Sequence, residues 1–67
     1  MTDEQIVEYI SKLAPATERE VRKELYHLRM YTQAGLDMIV TIVCCGKSIA
    51  DAVIGMDDYN ENNENNA

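Results

Sequence analysis

Residues 33–45 read QAGLDMIVTIVCC, and the state of this run decides the fold. Its β-branched core, Ile39 to Val43, suits a buried strand. No other stretch reads as a partner strand, and a lone strand leaves its backbone groups unpaired. A helix bonds its own backbone, so a helix is expected here and an all-α chain with it. The strand alternative survives only if two copies pair edge to edge. The run is apolar on all sides, which predicts burial. A chain of 67 residues buries only about 60% of the surface its unfolded form exposes, too little to surround such a helix. A homodimer is therefore expected, with Leu36, Ile39, Val40, Ile42, Val43 and Val53 at the contact between copies.

Working outward, the chain preceding this run reads as two helices. Thr2 and Gln5 fit a capping box, with Asp3 and Glu4 in the favourable first turn. Ile6, Ile10 and Leu13, with Val7 beside them, form one apolar stripe. Pro15 disfavours helical geometry at Ala14 and ends the first helix there. Thr17 and Glu20 make a second capping box, with Ala16 and Val21 as its staple. The second helix is expected to run on to about Tyr31 or Thr32. It buries Val21, Leu25 and Leu28 and turns Arg19, Arg22, Lys23, Tyr26, His27 and Met30 outward, with Arg29 at the margin. Glu18 with Arg22, and Glu20 with Lys23, stand at ion-pairing distance along the helix.

Beyond the apolar run, Gly46 and Lys47 mark a break. Either the helix kinks there or a new one starts at Ser48, with Asp51 three residues on. Ile49, Ala52, Val53 and Met56 give it a short apolar face. Residues 57–67, DDYNENNENNA, hold four acids and five Asn and are expected to form a disordered tail after a helical domain over 1–56. The chain carries six Lys and Arg against twelve Asp and Glu, a net charge of −6. Residues 1–56 carry all six basic residues and eight acids, so two-thirds of the net charge lies in the tail.

The segment EQIVEYISKLAPATEREVRKEL resembles the first two helices of winged-helix and related helix-turn-helix DNA-binding domains. The matching residues are Ile6, Val7, Ile10, Leu13, Pro15, Thr17, Val21 and Leu25. The resemblance implies a helix-turn-helix-like start to a small three- to four-helix bundle, and DNA as a partner. It places the reading helix in 33–45, which has little to hydrogen-bond a base. Contacts to DNA therefore fall to the second helix: Arg19, Arg22, Lys23, Tyr26, His27 and Arg29, from two copies of a dimer.

Other chemistry is thin. Cys44 and Cys45 are the only cysteines and His27 the only histidine, so no zinc spacing exists, and the cysteine pair is expected to be buried packing. The GKS string at Gly46 to Ser48 lacks the earlier P-loop glycine, with Thr41 in its place. His27 has no nucleophile placed near it, so it reads as an exposed polar residue. No enzymatic constellation, cofactor or small-molecule substrate is expected. The longest apolar run, Met38 to Cys45, is far short of the about 20 residues a spanning helix needs, and the acidic start has no secretory pattern. A cytoplasmic protein with reduced thiols is expected. Two functions follow. The first is a regulator of transcription or genome maintenance that contacts DNA. The alternative is an adaptor or inhibitor docked on a larger protein, its acidic tail mimicking nucleic acid.

Overall fold

The structure, a computed structural model, describes residues 1–66, with side chains described through Asp57. Five helices follow in order: α1 (Asp3–Leu13), α2 (Glu18–Lys23), α3 (Leu25–Leu28), α4 (Gln33–Cys44) and α5 (Ile49–Asn66). The described residues contain no strand, so the apolar run is helical and the chain is all-α. The expected disordered tail falls at 57–67, and the side chains beyond Asp57 lie outside the described residues. Among the described residues no helix is long and apolar enough to cross a membrane.

Helix starts follow the capping residues. The Thr2 hydroxyl accepts from Gln5 N–H and the Gln5 side chain accepts from Thr2 N–H, closing the box reciprocally. Thr17 accepts from Glu20 N–H at 3.2 Å, but only this half of the second expected box forms. Thr32 caps α4 through Gly35 N–H, and Ser48 caps α5 through Asp51 N–H at 3.1 Å. A separate helix thus begins at Ser48. Gly46 makes the break with φ of 106°, a region that side-chain-bearing residues avoid. At the end of α1, Ala14 is extended as a residue before proline should be (φ −119°, ψ 153°).

The second helix departs from expectation. It is interrupted at Glu24, where Glu24 N–H donates to the Val21 carbonyl at 3.0 Å and the turn tightens. Val21 and Leu28 on either side are sealed completely, whereas Leu25 is only half-buried. Packing both flanking side chains against α1 outweighs continuity of a short helix with little intrinsic stability of its own.

One core gathers Ile6, Val7, Ile10 and Ala14 with Val21, Leu28, Leu36, Ile39, Val43, Ile49, Ala52 and Val53. Leu13, expected on the α1 stripe, is instead 52% exposed, and Ala14 takes the inward place at the helix end. The largest revision concerns α4. Leu36, Ile39, Val43 and Val53, expected at a contact between copies, are all within 3% of full burial inside a single chain. Val40 and Ile42 are half-buried against the same core. A bundle this small does enclose one side of α4, because α1 and α5 both pack on it. The cysteine pair is also corrected: Cys44 and Cys45 are free and exposed. They fall at the α4 C-terminus, rotated past Val43 and off the core stripe. The Cys44 thiol donates to the Leu13 carbonyl at 3.7 Å.

Candidate partner-binding face

The six residues expected to meet an anionic partner sit on α2, α3 and the turn after them, and all six are exposed. Their electrostatics divide them. Arg22 makes a bidentate contact with Glu4 of α1, Nη1 to Oε1 and Nη2 to Oε2, both at 2.9 Å. Arg29 does the same with Asp3, Nε to Oδ1 at 2.8 Å and Nη2 to Oδ2 at 2.5 Å. Arg22 therefore pairs across the bundle with Glu4, not along its own helix with Glu18. Two guanidiniums of the basic face are already matched to carboxylates in the fork geometry arginine favours. Arg19 and Lys23 form no ion pair among the described residues.

The acids show the effect. The Arg29 hydrogen bonds hold the Asp3 carboxyl below its ordinary range, and those from Arg22 do the same for Glu4. A carboxyl with a depressed folded pKa contributes stability that is present above its unfolded value and lost as pH falls through the folded one. Wild-type stability should therefore drop in acid. In Asp3→Asn/Glu4→Gln the acid limb should be flatter, read from urea midpoints at a series of pH values. Both pairs are solvent-exposed, so the change is small.

The same stretch of chain carries two large side chains with little cover. Tyr26 is 73% exposed and Met30, one turn further along the chain, is 77% exposed. His27 meets the Tyr26 ring edge-on, with centroids 5.6 Å apart and planes at 89°. This contact leaves the tyrosine largely uncovered. The face thus offers an amphipathic ring, a flexible thioether and two free cations. Aromatic, methionine and arginine side chains are the types that protein interfaces concentrate.

Two concavities lie elsewhere on the described surface. Glu20, Lys23, Glu24, Ser48, Ile49 and Ala50 line a cavity of about 130 Å³, and Met1, Gln5, Glu8, Tyr9 and Lys12 border an open cleft of about 320 Å³. Among the described residues no three His, Cys, Asp or Glu side chains converge as metal ligands.

Two tyrosines tie elements together. The Tyr9 hydroxyl donates to Asp37 and so joins α1 to α4. Tyr31 is half-buried, its ring passing the α4 first turn where a Cβ on Gly35 would lie 3.1 Å from Tyr31 Cβ. Its hydroxyl donates to Asp57 Oδ1 at 2.7 Å. Burial, with the Asp57 carboxylate beside it, pushes this hydroxyl up to about 12. A raised pKa of this kind contributes stability fully present below the unfolded value near 10 and lost as pH rises through about 12. Tyr31→Phe should lose that dependence and show a flatter alkaline limb in thermal melts.

Sequence reasoning found the exposed basic face and missed its neutralisation. The partners lie 18 and 26 residues away along the chain, and no local pattern links them. No family model, curated protein or solved structure matches this chain.

Proposed function

We propose that this chain is a small, non-enzymatic regulator that acts inside the cell as a homodimer. It docks on another protein through the α2–α3 face. The observation that carries this reading is the division of that face. Arg22 and Arg29 are held by α1 carboxylates, while Tyr26 and Met30 stand exposed and Arg19 and Lys23 make no ion pair among the described residues. Duplex DNA rewards the number of cations free to displace counterions, and this face retains few. A protein partner rewards a buried aromatic anchor with charges at its rim. The matching surface is an apolar slot bordered by carboxylates.

The outer side of α4 argues the same way. It carries Asp37 and no Lys or Arg, so the helix that the family resemblance would lay in a groove presents a negative charge to phosphates. One feature favours DNA instead. Exposed ion pairs are worth only about 0–1 kcal/mol each, so a dense row of phosphates can compete for Arg22 and Arg29. The test is fluorescence anisotropy with random-sequence duplex DNA at low and moderate salt, paired with affinity capture from the cells that encode the chain. We expect no DNA binding by the wild type. We expect a captured protein that is lost with Arg19→Glu/Lys23→Glu. Wild-type DNA binding that falls steeply with salt would replace this reading with the DNA one. If the acidic end also engages the partner, a chain ending at Asp57 tests it and keeps the contact to Tyr31.

A further inference from the structure

Asp3 and Glu4 open α1, where the partial positive charge of a helix start favours acids. That preference asks only for negative charge in the first turn. The fold does more with these two residues. Arg22 and Arg29 lie on either side of the break at Glu24, yet their guanidiniums meet consecutive residues of one turn of α1. Both contacts are bidentate and both cross between elements. The acids nearer in sequence, Glu18, Glu20 and Glu24, pair with none of the basic residues among the described residues. We propose that Asp3 and Glu4 are specificity determinants: they hold Arg22 and Arg29 away from phosphates and so keep nucleic acid off a face that serves a protein. The inference rests on the docking reading and names the residues that make it selective.

The discrimination works by number. Non-specific binding to a duplex gains from each phosphate that a cation neutralises, because each contact releases condensed counterions. Of Arg19, Arg22, Lys23 and Arg29, the α1 carboxylates take two. Duplex affinity falls exponentially as free cations are lost. A docked protein depends on them weakly, since its anchor is apolar and charges at the rim contribute little. The same two contacts therefore cost a nucleic acid far more than a protein partner, and specificity is that difference. Fork geometry sharpens the effect. The planar donors of arginine match a phosphate as well as a carboxylate, so occupying them closes the approach a phosphate would use. A phosphate that displaces either carboxylate still meets its repulsion, because the acid stays tethered in the same turn of α1. The Arg22 and Arg29 side chains keep 45% and 54% of their surface in solvent. They are masked by charge and not by burial, so removing the carboxylates is enough to release them.

The test is fluorescence anisotropy of a labelled random-sequence duplex at low salt, using the full chain with Asp3→Asn/Glu4→Gln. This variant should bind at least about tenfold more tightly than the detection limit that the wild type fails to reach. The substitutions also move the net charge from −6 to −4, so a control of equal charge is required. Glu8→Gln/Asp51→Asn makes the same change at exposed acids that pair with no described cation, and should behave as the wild type. Glu4→Gln alone frees Arg22 and keeps the Asp3 contact that ties α1 to Arg29, so a loosened helix cannot explain its gain. It should bind between the wild type and the double variant, with a log–log salt dependence shallower than the double variant's by about one unit, the share of one cation. Adding Arg22→Gln/Arg29→Gln to the double variant should return it to wild-type behaviour. Unchanged helical circular dichroism verifies the fold of each chain. A double variant that binds no better than the wild type, or a charge-matched control that gains as much, overturns the proposal and leaves the docking reading standing. Wild-type binding that falls steeply with salt overturns both.

Discussion

Replacing Ile39 with alanine should unfold a large fraction of the chain under conditions where the wild type is folded. Ile39 is fully sealed at the centre of α4, between the α1 and α5 contributions to the core. Truncating such a residue removes its transfer free energy and leaves a cavity, at a cost of about 2–5 kcal/mol. A chain of 67 residues has roughly 3–10 kcal/mol of stability in total, so this one change removes from about a fifth to all of it. The urea midpoint should fall sharply, by the same free energy at every protein concentration. Had Ile39 faced a second copy, the variant would instead stay folded and merely dissociate. A folded monomer with the wild-type midpoint would return Ile39 to the interface. Met38→Ala, one position earlier but half-exposed, should barely move the midpoint at protein concentrations where the chain is monomeric.

The second large effect is expected at Tyr26 and Met30. If the α2–α3 face docks on a protein, the exposed ring is its best anchor, because a tyrosine buries a large area and gives up little rotamer freedom. Alanine at an anchor of this kind costs about 2 kcal/mol or more. Tyr26→Ala/Met30→Ala should therefore weaken the captured complex by at least about thirtyfold, read by calorimetric titration. Folding stability should stay near the wild-type value, since both side chains are largely in solvent. Arg22→Ala should cost less in binding than Arg19→Ala, because its guanidinium is already engaged by Glu4. An equal loss at both arginines would mean that the partner displaces Glu4. An unchanged affinity in the tyrosine–methionine variant would move the docking surface elsewhere.

The identity of the helices was legible because the signals for it are local. Thr2, Thr17 and Ser48 each stand one residue ahead of a helix, and each side chain satisfies an N–H that the helix cannot. Pro15 and Gly46 act through their own backbone geometry. Even the β-branched run at 39–43 was decidable, since a lone strand has nowhere to place its hydrogen bonds. The break at Glu24 was not, because no residue there breaks a helix by itself. It follows from sealing Val21 and Leu28 against a partner helix.

The same division runs through the surface. Composition and spacing showed an aliphatic stripe on one side of the second helical unit and basic residues on the other, and both are present. Whether those bases are free was outside their reach, because Glu4 and Asp3 come to Arg22 and Arg29 only when α1 folds across them. For α4, a single acid, Asp37, in an otherwise largely apolar helix gives little patterning to tell its inner side from its outer one. The chain alone therefore determined that the run at 33–45 is helical, because a lone strand would leave its backbone hydrogen bonds unmade; the Thr32 cap emerged only with the structure. Only packing against α1 and α5 decided that Leu36, Ile39 and Val43 turn inward and Ala34, Met38, Thr41 and Cys45 outward. Hydrogen bonds and caps act between near neighbours in sequence, whereas burial is a property of the assembled fold.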